Sequence, residues 1–155
     1  MPNKVAANIR WKTFDAIVDR LGTITKSAGY NHQPLVTDDG RKVENAAGTT
    51  LLFVRSGSES VQEYGMSSRW TMLYEIIVEG YVPCAGLRPE KEIAALLQDV
   101  RTCLCSYISG LATAIGQGRV IEMGEADSDQ GYLAEDYYAA FVLPIRVLYL
   151  NQATF

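Results

Sequence analysis

The stretch RWTMLYEIIVEGYV, Arg69 to Val82, limits what this chain can fold into more than any other. Trp70, Met72, Tyr74, Ile76, Val78 and Val82 fall on one side of an extended strand, while Thr71, Glu75 and Glu79 interrupt the other. At about 3.3 Å per residue the stretch would run roughly 45 Å, and a compact chain of 155 residues has a diameter of about 40 Å. One strand therefore crosses or overhangs the whole domain. Its second side also carries Leu73, Ile77 and Tyr81 among the carboxylates, which a monomer would leave partly wet, so that side is expected to meet a partner.

The rest of the chain arranges itself around this strand. A first helix is expected from Val5 to Leu21, with Phe14, Ile17, Val18 and Leu21 as its apolar stripe and Gly22 as its stop. Thr23 to Gly48 is turn-rich, with one short extended piece near Leu35-Val36. Thr49 to Arg55 reads as a short strand, and Ser56 to Ser68 as the Ser/Gly/Glu-rich connection that joins it to the long strand. Pro89 opens a second helix with Glu90 and Glu92 in its first turn and Ile93, Leu96, Leu97, Val100 and Leu104 at helical spacing. A short strand, Arg119 to Met123, precedes an acidic loop, Gly124 to Asp136. The last strand, Tyr137 to Leu150, has a wholly apolar face of Tyr137, Ala139, Phe141, Leu143, Ile145, Val147 and Tyr149. Pro144 cannot donate to a ladder, which puts this strand at an edge or bulges it at its middle. The fold class is thus α+β: a mainly antiparallel sheet of about four strands flanked by two helices, in a single domain.

Composition narrows the function classes. Eighteen acidic against fourteen basic residues give a net charge of −4, which argues against a sequence-independent grip on DNA phosphates. Cys84, Cys103 and Cys105 form no C-x-x-C pair, and the last two point about 200° apart on a helix, so they cannot share a metal there. Reduced thiols of a cytosolic protein are the expectation. The N-terminus lacks the apolar core of a leader peptide, and no apolar run is long enough to span a bilayer, so no membrane segment is expected.

No group of residues dictates a chemistry. His32 lies in the turn segment Tyr30-Asn31-His32-Gln33-Pro34 without a Ser or Cys nucleophile pattern nearby, which points to a surface loop rather than a general base. Gly116-Gln117-Gly118 is followed by a strand instead of a helix and lacks the P-loop lysine. Glu122, Glu125, Asp127, Asp129, Glu135 and Asp136 could cage a divalent cation, yet Gln130, Gly131 and Tyr138 stand where an EF-hand needs ligands, so a solvated acidic loop is expected. Glu75 and Glu79 are about 13 Å apart along the strand, too far for paired-carboxylate hydrolysis. Neither catalytic residues, metal nor cofactor is expected.

Several features together resemble the tail-terminator, or tail-completion, proteins of long-tailed bacteriophages. They are the first helix closing in Asp19-Arg20-Leu21, the apolar hairpin, the long strand with Tyr74-Glu75-Ile76-Ile77-Val78, the helix with Lys91-Glu92-Ile93-Ala94-Ala95-Leu96-Leu97, the acidic loop, and the closing VLPIRVLYL strand with Tyr149. The resemblance covers nearly the whole chain in order and length, without an invariant motif. It implies an α+β domain assembled as a ring, a hexamer in that family, that caps the tail tube, ends its growth and joins the tail to the head or neck in the virion. Partners would be further copies of the chain, the tail-tube protein and a head-completion protein, and DNA would pass through without specific binding.

Under that reading Leu73, Glu75, Ile77, Glu79 and Tyr81, with Tyr138 and Arg146 of the last strand, form a seam between subunits, where apolar contacts adhere and carboxylates fix register. Glu125, Asp127 and Asp129 would lie on a loop facing the lumen or the tube. The alternatives are another neck or tail-tube subunit, which if a tube protein should polymerise into long cylinders, and a small α+β enzyme or ligand-binding domain with a pocket between the second helix and the sheet.

Overall fold

The computed structural model describes residues 9–38, 49–64, 69–83, 88–105, 119–124, 126–133 and 136–152. Helix α1 is Ile9–Leu21 and α2 is Pro89–Cys105; the strands are β1 (Leu35–Asp38), β2 (Leu51–Tyr64), β3 (Arg69–Pro83), β4 (Arg119–Met123), β5 (Asp127–Leu133) and β6 (Asp136–Gln152). The expected α+β class is what forms. The sheet runs β1-β2-β3-β6-β4, with β5 also on β6, and only β1 on β2 is parallel.

The long strand is the centre of the sheet. β3 pairs antiparallel with β2 from Tyr81 opposite Leu51 to Trp70 opposite Tyr64, and with β6 without a break from Arg69 opposite Gln152 to Pro83 opposite Tyr138. Met72, Tyr74, Ile76, Val78 and Val82 are buried, as period two requires, and join Phe141, Leu143, Ile145, Val147 and Tyr149 of β6 in one core. α2 covers β3 and β6 on this face, and α1 packs beside α2 toward β1. The helices bury the stripes read from their spacing: Phe14, Ile17 and Leu21 in α1, and Ile93, Leu96, Val100 and Leu104 in α2. Pro89 is the first residue of α2, where its missing N–H costs nothing. The expected start of α1 at Val5 lies outside the described residues, as does Cys84.

Two segments expected outside the sheet belong to it. The first is the hairpin connection: β2 continues past Arg55 to Tyr64, with register shifts at Ser56/Glu59 and Val61/Glu63. Bulges let a Ser- and Glu-rich run stay in the ladder by absorbing the extra residues. The second is the acidic loop. Asp127 to Leu133 is strand β5, each residue matched to β6 from Asp127 opposite Val142 to Leu133 opposite Asp136. Asp, Ser, Gln and Gly are poor strand formers, so the ladder offered by β6, not local propensity, makes this strand.

Pro144 explains the join. β6 is neither at an edge nor bulged there; its outer neighbour is divided instead, β4 ending at Met123 opposite Ile145 and β5 starting at Asp127 opposite Val142. The Gly124 N–H donates to the Pro144 carbonyl at 2.7 Å. In an antiparallel strand a residue's N–H and C=O point to the same side, so the donor that proline lacks would also point at the gap between β4 and β5. Ile77 opposite Pro144 on β3 is then a non-hydrogen-bonded pair, and the ladder loses nothing there.

Candidate functional sites on the open sheet face and the loop corner

The face of the sheet turned away from both helices holds most of the residues expected at a seam. Leu73, Glu75, Ile77, Glu79 and Tyr81 are all half-buried, and beside them on β6 Val142 is 37% exposed. Both carboxylates already have a cation from the same chain. Arg55 Nε donates to Glu79 Oε1 at 2.9 Å, and Arg146, directly opposite Glu75, approaches its Oε2 at 3.9 Å. Tyr81 donates its hydroxyl to Glu79 Oε2 at 3.0 Å. Burial, then that hydrogen bond and the Glu79 charge, push the Tyr81 hydroxyl up to about 12. Along β3 the face therefore presents apolar side chains between carboxylates that each face an arginine, and that strip can be covered without stranding either carboxylate.

The remaining expected seam and lumen residues divide. Tyr138, 3% exposed, is already covered within its own chain and offers little surface to a partner, a correction to its expected place in the seam. Asp127 is exposed at the start of β5; Asp129 belongs to the same strand, so neither sits on a loop. Glu125 lies outside the described residues.

The inner face has a polar network that sequence reading missed. Arg10 of α1 sits 5.0 Å above the Tyr74 ring and donates from Nη2 to Ser56 Oγ at 2.9 Å and to the Gly57 carbonyl at 3.4 Å. Ser56 Oγ and the Tyr74 hydroxyl share a hydrogen at 2.6 Å, and Tyr149 donates to the Glu59 carboxylate. Burial and that carboxylate hold the Tyr149 hydroxyl well above the usual phenol range. The network pins α1 to β2 where its register shifts.

His32 is not on a bare surface loop. Its Nε2 is 3.0 Å from Glu92 Oε2 and its Nδ1 3.5 Å from Asp99 Oδ2, while Asp99 is 3% exposed. A general base needs a ring nitrogen free to reach a substrate, and here both face carboxylates of α2. The retrospective signal is Asp99 itself, an ionisable residue set inside the apolar stripe of Leu96, Val100 and Cys103.

One groove, of about 370 Å³, runs between α1 and β1 and is lined by Asp15, Val18, Asp19, Val36 and Asp38. Among the described residues no three His, Cys, Asp or Glu side chains converge as metal ligands, and no helix is long and apolar enough to cross a membrane. No protein-family model matches the chain, and no curated protein matches it.

Proposed function

We propose that this chain is a structural subunit of a long-tailed phage, forming a ring that caps the tail tube, ends tail growth and joins the tail to the head or neck. The observation that carries the reading is the open face of β3: Leu73, Ile77 and Tyr81 remain half-exposed along the central strand although both helices pack on the opposite side. An apolar face on the middle of a sheet is adhesive surface, and a contact of one patch with a different patch on the next copy closes a ring where the rotation permits. The pairs Arg55–Glu79 and Glu75–Arg146 suit the β3 strip of that face to a protein partner, because both carboxylates of the strand already face an arginine in the free subunit. A net charge of −4 suits a ring through which DNA passes without being held.

In phage assembly, loss of the gene should give tails of irregular length that do not join heads. The double variant Leu73→Asp, Ile77→Asp should fold, by circular dichroism, yet fail to restore tails of fixed length. Normal tails joined to heads in the absence of the protein would remove the proposal. Spontaneous growth of the purified chain into long cylinders would assign it instead to the tube.

A further inference from the structure

The segment between α1 and β1 is fastened to α2 from both directions. Asp99 accepts from the Asn31 backbone N–H at 3.1 Å, from Asn31 Nδ2 at 2.9 Å and from the His32 backbone N–H at 2.9 Å. The His32 ring answers with one nitrogen toward each carboxylate, Nε2 at 3.0 Å from Glu92 and Nδ1 at 3.5 Å from Asp99. Nδ1 is buried and makes no hydrogen bond of good geometry.

A neutral imidazole has one N–H. In either tautomer it donates to one carboxylate and turns a lone pair toward the other, inside a corner where the side chains of His32 and Asp99 are 12% and 3% exposed. The imidazolium keeps the Nε2 donation to Glu92, turns a second N–H toward Asp99 across 3.5 Å, and places one positive charge between two negative ones. Histidine changes charge between about pH 5 and pH 8. We infer that His32 is a proton-operated latch that fastens the Thr23–Pro34 segment to α2 when the ring is charged and slackens it when the ring is neutral.

Among the described residues Glu92 and Asp99 are the charged groups that face the ring, both from α2. Behind Asp99 stands a separate group: Tyr30 of the segment hydrogen-bonds Cys103 of α2, and Arg20 of α1 donates from Nε to the Cys103 carbonyl at 3.2 Å. The latch bears on the sheet because β1 begins three residues after His32. β1 is a four-residue strand whose hold on β2 is the short parallel ladder from Leu35 opposite Leu51 to Asp38 opposite Val54, opened by the Leu35 N–H to the Thr50 carbonyl at 2.9 Å. Releasing the segment loosens the edge strand first.

Native-state hydrogen exchange on the full chain tests this, with protection factors corrected for intrinsic rates, at about pH 5.5 and about pH 8. The Asn31 and His32 amides should be protected on the order of tenfold more at the lower pH, the factor one charge-assisted hydrogen bond commands. Leu35–Asp38 should follow in the same direction, while the Ile76 amide of the central strand should not. In His32→Gln, which keeps a neutral donor, the pH ratio should fall to one, and in Glu92→Gln it should shrink. A wild-type ratio of one, or a tenfold ratio retained in both variants, overturns the latch.

Discussion

Replacing Gly80 by alanine should destabilise the protein through one ring. Gly80 stands among the buried positions of β3, directly opposite Phe141 of β6, and Phe141 is 1% exposed. A Cβ added at Gly80 would meet the Phe141 ring at Cε1, at 2.5 Å from Cζ and at 2.8 Å from Cδ1. Carbon atoms pack at about 3.5 Å or more, so the ring would have to retreat by roughly 1 Å into a core with no slack. Overpacking of this kind costs about 1–3 kcal/mol, and alanine's smaller loss of backbone entropy returns about 0.5–1 kcal/mol. At the middle of both ranges the net loss is about 1 kcal/mol, or a fall in Tm of roughly 2–4 °C for a chain of this size. Urea and thermal denaturation of Gly80→Ala, Phe141→Leu and the double variant measure it. The double variant should be more stable than the sum of the two single losses implies, by about 1 kcal/mol, because the smaller side chain makes room for the methyl. A Gly80→Ala protein as stable as the parent, or strict additivity, would refute the reasoning.

Three further outcomes follow from the contacts described. Asp99→Ala removes the acceptor of two backbone N–H groups and one amide, and should lower stability by about 1–3 kcal/mol in urea denaturation because part-buried donors lose their partner. Tyr81, pushed up to about 12, should stay neutral where free tyrosine ionises near pH 10; absorbance titration of the parent and Tyr81→Phe should show one late-titrating phenol missing in the variant. Since its folded value is raised, the stability linked to Tyr81 is fully present below about pH 10 and lost as pH climbs toward 12. Arg55→Ala breaks a pair whose side chains are 40% and 19% exposed, so it should change the stability of the free subunit by no more than about 1 kcal/mol.

Period two made β3 and the inner face of β6 legible, since Met72 to Val82 and Ala139 to Tyr149 need only alternation to be placed in a core. The helix stripes were legible for the same reason at a different period. β5 was not, because Asp127 to Gly131 has little strand propensity and only the register on β6 places it in the sheet. Pro144 announced an irregularity without saying which strand would bear it; the direction of one carbonyl decided that β4 and β5 would part. The corner around His32 depends on residues 60 and 67 positions away, a distance at which no local rule operates, although Asp99 in an apolar stripe was a visible anomaly. For the seam, the apolar and acidic residues of β3 could be read in advance. Their arginine partners could not, because Arg55 and Arg146 come into place only through the cross-strand register.

The parting of β4 from β5 at Pro144 also bears on how such a chain can change over generations. Met123 is held to Ile145 and Asp127 to Val142 independently of one another, so residues gained between them would not slide either strand against β6. Most insertions in a sheet carry a whole strand out of register and turn its inner face outward. Here the break between β4 and β5 is a splice point, where the edge of the domain could acquire a new projection while the central strand and its open face keep their pairing.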